Sequence, residues 1–320
     1  MTALSLAVQM AILMFIGFIA RKKRIVEEKF SASLASFIFN FVFPCVVINA
    51  MQIKYEPSQV LNSGLLIGVS LFTMALMLGL GLLVNMFVRK KDDMSRILLV
   101  TLMFTNFTYM AFPIMESLYG ERGSFYIAIY TIPVRVLFYV ATPLIFTVGK
   151  NSAVRLSARQ IGRDALRAIL SPPVLAVPVG LVIYLFGITL PGPIDAVVAS
   201  LAKVATPMGM VLCGVTLAAI PLSRIWKEQR IIIIAILRLI AAPAIAIGIY
   251  YILSGFVHID PLVAKVSILY CALPAAATTT VMAIKSQSDA TRAAQCVFVT
   301  TIFSVLTLPA WSYLLEILVR

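Results

Sequence analysis

Two stretches carry the side chains best suited to hold a small polar ligand inside an otherwise apolar chain. The first runs Thr105-Asn106-Phe107-Thr108-Tyr109-Met110-Ala111-Phe112-Pro113 and offers an amide, hydroxyls and a phenol. The second runs Leu273-Pro274-Ala275-Ala276-Ala277-Thr278-Thr279-Thr280. Each contains a proline, which lacks a backbone N–H and frees the carbonyl four residues earlier. Those carbonyls belong to Tyr109 and Tyr270. Backbone left unpaired at membrane depth is tolerated only where protein or a water-filled cavity satisfies it. Half-helices interrupted there would aim their N-terminal ends, with partial positive charge and free N–H groups, at that cavity, and a carboxylate suits such a place. The alternative is a plain proline kink whose threonines bond their own helix.

Arg135 is the candidate cation for that carboxylate. It lies about eleven residues into its apolar segment, roughly 16 Å at 1.5 Å per residue, near mid-membrane. A guanidinium grips a carboxylate through two parallel hydrogen bonds, and it can equally pair with the freed carbonyls of a broken helix. Asn49, which follows Pro44, is placed to line the cavity from another segment. The candidate binding set is therefore Thr105, Asn106, Thr108, Tyr109, Pro113, Arg135, Pro274, Thr278, Thr279 and Asn49.

What must position these residues is a run of ten apolar segments, near 2–20, 31–52, 59–88, 97–119, 124–148, 172–189, 194–220, 230–254, 262–285 and 291–318. A helix needs about 20 apolar residues to cross the hydrocarbon, so ten of them with short loops use up the 320 residues. At 61% hydrophobic and 12% charged, the chain is too apolar for a water-soluble fold. The expected fold is an all-α polytopic membrane protein. A polar connector, 149–171, separates 1–148 from 172–320, with five segments on each side. Two copies of an odd-numbered unit must lie in the membrane with opposite orientation, as in the inverted repeats of secondary carriers. The halves share punctuation: Pro44 with Pro207, Pro113 with Pro274, and Pro143 with Pro309. Within the connector Arg155, Arg159, Arg163 and Arg167 recur every fourth residue, accompanied by Val154, Ile161, Leu166 and Ile169. This is the pattern of a short helix lying on an anionic leaflet; a solvated linker is the alternative.

The loops alternate in charge. Odd-numbered loops hold 19 Lys and Arg, and even-numbered loops hold 2. Positive residues resist translocation, which puts the basic loops in the cytoplasm and both termini on the opposite side. The same loops account for the net charge of +13 without nucleic acid. Arg21-Lys22-Lys23-Arg24 follows the first apolar run rather than preceding it, so 2–20 reads as a retained membrane helix and not a signal peptide. Cys45, Cys213, Cys271 and Cys296 show no CxxC spacing, and His258 is the single histidine. Metal, disulfide and hydrolytic chemistry thus lack their parts, and no cofactor is expected. Arg238 and Lys265 lie closer to segment ends and read as snorkelling outward. Lys203 either reaches the cavity or snorkels, and Glu116, Asp195 and Glu316 read as solvated.

Asn106 through Pro113 resembles the Asn-to-Pro motif in the fourth helix of the auxin efflux carrier family. Ala272-Leu273-Pro274 through Ser286-Gln287-Ser288-Asp289, followed by Ser304-Val305-Leu306-Thr307-Leu308-Pro309, is similar to that family's last two helices. Ser171-Pro172-Pro173 and Thr206-Pro207-Met208-Gly209 are similar to its sixth and seventh. The resemblance spans essentially the whole chain. It implies ten helices in two inverted repeats of five, with helices four and nine crossing as broken helices at the substrate site. It further implies a scaffold and homodimer surface from helices one, two, six and seven, with the remaining helices as a mobile unit. Substrates in that family are organic anions: plant auxins, and dicarboxylates such as malate or malonate in bacteria. The chain departs from many members in carrying Thr108 and Ala111 where they have glycine, and Thr278 where they have another polar residue.

The expected function is a secondary carrier of small organic anions in the inner (plasma) membrane, with export the expected direction. The alternative is a sodium-coupled symporter of the bile acid carrier type, which shares the five-plus-five plan. Hydroxyls of Thr105, Thr108 and Thr278 to Thr280 would supply oxygen ligands to the ion, but no mid-membrane Asp or Glu offsets its charge. An enzyme lacks a nucleophile–base set, and an ATP-driven pump lacks a GxxxxGK[ST] loop. A receptor or channel would differ from a carrier in showing no saturable counterflow.

Overall fold

The computed structural model describes residues 3–27, 29–88, 92–147, 158–219, 228–256 and 259–319. Arg89, Lys90, Lys91, Lys150, Val154, Arg155, Arg224, Lys227 and His258, which entered the loop and connector expectations, lie outside the described residues.

Among the described residues the chain is helical, without strands. The helices are α1 (Ala3–Lys22), α2 (Phe30–Ala50), α3 (Pro57–Val88), α4 (Asp93–Met103), α5 (Phe107–Thr147), α6 (Ala158–Ile169) and α7 (Pro172–Phe186). They continue as α8 (Gly192–Lys203), α9 (Ala205–Ala218), α10 (Gln229–Ser254), α11 (Pro261–Ala272), α12 (Thr278–Lys285) and α13 (Ala290–Leu318). Helix occupies each of the ten apolar segments. Among the described residues six stretches are by themselves long and apolar enough to cross a membrane: Phe30–Ala50, Leu61–Phe87, Phe107–Thr147, Gly192–Ala218, Gln229–Ser254 and Ala290–Leu318. The bent pair Arg159–Ile169 and Pro172–Phe186, at 42°, adds a seventh if it is one span. The fourth and ninth segments are each interrupted. Their leading halves have 11 and 12 residues, too short to cross alone. Large apolar side chains such as Phe15, Phe72, Phe87, Phe186 and Leu306 point outward, as lipid-facing positions require.

Proline sets much of the local geometry. Among the described residues the π-helical turns Ile38–Val42, Phe107–Ala111 and Leu237–Ala241 each end two residues before a proline: Pro44, Pro113 and Pro243. A proline ring collides with the carbonyl four residues back and offers it no N–H. Widening the preceding turn relieves the collision, so the helix continues with a bulge instead of stopping. Gly120 makes the corner inside α5 with φ 62° and ψ −150°, a conformation that glycine adopts without a Cβ clash.

Packing divides the chain into two compact units. The first comprises Met1–Ile67, Thr108–Ile132 and Ile169–Ala219; the second comprises Gly68–Phe107, Pro133–Ala168 and Ile220–Arg320. Each draws on both 1–148 and 172–320. The first unit gathers the segments numbered one, two, six and seven. In it α1 and α9 meet backbone to backbone: a Cβ on Gly17 would strike the Val211 carbonyl, and one on Gly214 would strike that of Met14. Such close approach is how membrane helices gain contact without a hydrophobic driving force. A polar cluster joins Glu56, Arg122 and Tyr184. Arg122 pairs with the Glu56 carboxylate at 2.6 Å, and the Tyr184 hydroxyl donates to the Glu56 carbonyl at 2.9 Å.

In the second unit an ion-pair chain ties together the starts of three helices. Arg230 bridges Asp92 at 2.7 Å and Glu228 at 3.0 Å, while Arg292 reaches Glu228 at 3.7 Å and Asp289 at 3.5 Å. Asp92 also caps α4 by accepting from the Ser95 N–H at 3.1 Å, and Asp289 caps α13 through the Arg292 N–H at 2.9 Å. Burial pushes the Asp92 carboxyl upward. The hydrogen bonds from Arg230 and Ser95 outweigh that and hold it below the usual carboxylate value. The Arg230 hydrogen bond likewise lowers Glu228.

Candidate functional site

The site forms in the second unit, where the interruption after α4 meets the interruption after α11. α11 starts on a firm cap, Asp260 accepting from the N–H groups of Leu262 and Val263 with Pro261 in the first turn. It stops at Leu273 (φ −64°, ψ 147°) because the residue before a proline is pushed from helical to extended backbone. α4 stops at Phe104 (φ −119°, ψ 120°). Thr105 and Ala275 then pair as antiparallel extended backbone. The Asn106 N–H donates to the Pro274 carbonyl at 2.8 Å, and the Ala276 N–H to the Phe104 carbonyl at 3.3 Å. The Ala275 N–H donates to the Thr300 hydroxyl oxygen at 3.2 Å. Each interruption thereby satisfies backbone groups that have no helical partner.

The first interruption is not at Pro113. It lies at 104–106, and the π turn Phe107–Ala111 accommodates that proline inside α5. The Tyr109 carbonyl faces Gly209, where a Cβ would stand 3.0 Å from it and 3.3 Å from the Pro113 ring.

Arg238 holds the paired interruptions from behind. Its guanidinium donates to the carbonyls of Leu273 at 2.9 Å, Leu102 at 2.7 Å and Tyr270 at 3.4 Å. It is 1% exposed, so the snorkelling expected of it is incorrect. The π turn preceding Pro243 carries it, and both α4 and α11 end in carbonyls that require a donor. In a straight helix the Leu239 carbonyl would pair with the N–H that Pro243 lacks. The Trp311 indole N–H supplies the bond at 2.7 Å. Arg238, Thr300 and Trp311 are thus the participants that sequence reasoning missed. Only Arg238 left a signal, a charge inside an apolar segment five residues before a proline.

Arg135 is 3% exposed, and its guanidinium carbon lies 5.3 Å from the centre of the Phe107 ring, a cation–π distance. Phe107 and Phe104 both set their rings edge-on to Phe138, at 5.7 and 5.1 Å. A cationic group and an aromatic cluster therefore flank the first interruption. Thr105 and Thr279 are fully buried and Asn106 is 2% exposed. The hydroxyl oxygens of Thr278 and Thr279 are buried without a hydrogen-bond partner among the described residues, and the Thr105 hydroxyl meets that of Tyr270. Buried polar atoms left over in this way mark a place for water or a ligand.

The structure brings Thr105, Asn106, Arg135, Pro274, Thr278 and Thr279 into the second unit. Thr108, Tyr109, Pro113 and Asn49 belong to the first, with Thr108 and Pro113 buried and Tyr109 and Asn49 half-buried. Lys203 ends α8 exposed, Asp195 accepts from Gln52 at 3.0 Å, and Lys265 pairs with Glu316 at 2.7 Å.

A family model described as "Membrane transport protein" matches residues 2–312. The chain is 24% identical over 308 residues to an uncharacterized transporter of Methanothermobacter thermautotrophicus, covering 95% of each protein. It is 23% identical over 316 residues to an uncharacterized transporter of Methanocaldococcus jannaschii, covering 95% of this chain and 96% of that one.

Proposed function

This chain belongs to the membrane transport protein family, that of the auxin efflux carriers, and from that membership we propose that it carries small organic anions, mono- or dicarboxylates, by alternating access. It is a membrane transporter; substrate class, mechanism and direction are the proposal. The observation that carries it is the pair of buried, unpartnered hydroxyl oxygens of Thr278 and Thr279 at the paired interruptions, with the Thr105 hydroxyl beside them in the same unit. Two helical stretches begin there, at Phe107 and at Thr278. Their positive dipole ends favour a carboxylate, and hydroxyls donate to its oxygens. Arg135, at the Phe107 ring, is the cation assigned to the substrate carboxylate.

The proposal includes ten transmembrane helices in two inverted repeats, with the fourth and ninth crossing at their breaks. It places the basic loops in the cytoplasm of a plasma membrane, both termini outside, and assigns a homodimer that exports its substrate. The antiparallel pairing of Thr105 with Ala275, between the fourth and ninth segments, supports that reading. No cofactor takes part.

Counterflow of labelled malate, malonate and indole-acetate in liposomes tests this reading, with Arg135→Ala alongside. Saturable exchange of one acid by the wild type, lost in the variant, is the expected result. Exchange that survives in Arg135→Ala removes Arg135 from the site, and no exchange of any acid by correctly inserted protein overturns the substrate class.

A further inference from the structure

We propose that Arg238 stands in this carrier where a coupling cation stands in others, so that substrate binding needs no sodium ion. The inference rests on the carrier reading above and concerns the same pair of interruptions. In cation-coupled carriers, unwound carbonyls and the C-terminal ends of half-helices gather the ion. Here two such ends converge, those of α4 and α11, and each brings the negative pole of its dipole. The last carbonyls of a helix have no N–H within it and must find a donor. Those of Leu102, Tyr270 and Leu273 find the guanidinium of Arg238.

A sodium ion seated on these carbonyls would lie beside a fixed positive charge at hydrogen-bonding distance, and the two exclude one another. Neither interruption contains a carboxylate to offset a second cation: 104–106 reads Phe-Thr-Asn and 273–277 reads Leu-Pro-Ala-Ala-Ala. The side chain is 1% exposed, so the charge is not screened by solvent and is not exchanged during transport. Three bonds in the plane of one guanidinium also hold the interruptions in register, a task the compact ammonium of lysine performs poorly. Arg238 is therefore a positioning residue. It touches backbone and acts on the substrate through the half-helices that it holds, and through a positive potential that favours anions.

The test compares counterflow of an organic acid carried by the wild type in sodium and in choline media, together with Arg238→Lys, Arg238→Met and Arg238→Ala. The wild-type KM is expected to be the same in both media. Arg238→Lys should retain transport with a moderately raised KM. Arg238→Met should raise KM by roughly tenfold or more, the loss corresponding to charge-assisted hydrogen bonds. Arg238→Ala, with the space vacated, should become sodium-responsive, its KM falling when sodium replaces choline; a purely structural defect would not respond to the ion. A wild-type KM that falls as sodium rises overturns the proposal, as does Arg238→Met with a wild-type KM. If the substitutions prevent folding, the wild-type comparison alone decides. If the wild type carries none of the acids, the carrier reading fails separately. The sodium question is then read from thermal unfolding in detergent, where equal midpoints in sodium and choline chloride support the proposal and a sodium-specific rise overturns it.

Discussion

Replacing Trp311 by Phe should cost more stability when Pro243 is present than when it is replaced by Ala. The indole N–H bonds the Leu239 carbonyl at 2.7 Å, a carbonyl that Pro243 deprives of its helical partner and that is 2% exposed at its residue. Hydrogen bonds between membrane helices average about 0.6 and reach about 1.7 kcal/mol. Stranding a buried acceptor costs about 1–3 kcal/mol. A short bond to an acceptor with no alternative belongs in the upper part of the first range, about 1–1.5 kcal/mol. The smaller ring loses roughly a further 1 kcal/mol of burial. In a Pro243→Ala background the restored N–H can take the Leu239 carbonyl, so only the burial loss should remain. Unfolding in mixed micelles, followed by circular dichroism on the wild type, both single variants and the double variant, measures the coupling as the difference between the two costs. Equal costs in both backgrounds, within about 0.3 kcal/mol, would refute the account of this turn. The cycle matters for function because the same π turn aims Arg238.

Thr300→Val should leave the Ala275 N–H without its acceptor inside the second unit, costing about 1–3 kcal/mol and lowering transport, while Thr300→Ser restores both; equal behaviour of Val and Ser would remove the hydroxyl from the site's support. The ion-pair chain at Asp92 predicts an acid limb in stability. The folded-state value of Asp92 is lowered, so its contribution is complete above the unfolded carboxylate value of about 3.9 and is lost as pH falls through the lowered value. Asp92→Asn should flatten that limb in a pH series of unfolding midpoints, and an unchanged acid limb would assign it to other carboxylates.

Much of the backbone at the candidate site was legible because its signals are local. Pro274 stops α11 at the residue before it, as an extended residue ahead of a proline must, and Thr105, Asn106, Thr278 and Thr279 lie at or beside the interruptions. Pro113 misled, because a π turn absorbs it and the first interruption falls at 104–106 instead. The pairing of a cation with freed carbonyls, weighed for Arg135, belongs to Arg238, while Arg135 lies on the Phe107 ring. Depth along a segment could not separate these arginines. A guanidinium some turns from a helix end looks the same in sequence whether it meets water, an aromatic face or backbone.

The sequence by itself determined the helical, membrane-spanning character of the chain, since apolar length, loop charge and the missing proline N–H are properties of residues and their near neighbours. The tertiary structure decided the partners. The Leu102 carbonyl meets a guanidinium 136 positions away, and the Ala275 N–H meets a hydroxyl 25 positions on. A freed carbonyl states only that a donor is needed; which donor arrives depends on how helices distant in the chain pack, and no local pattern encodes that choice.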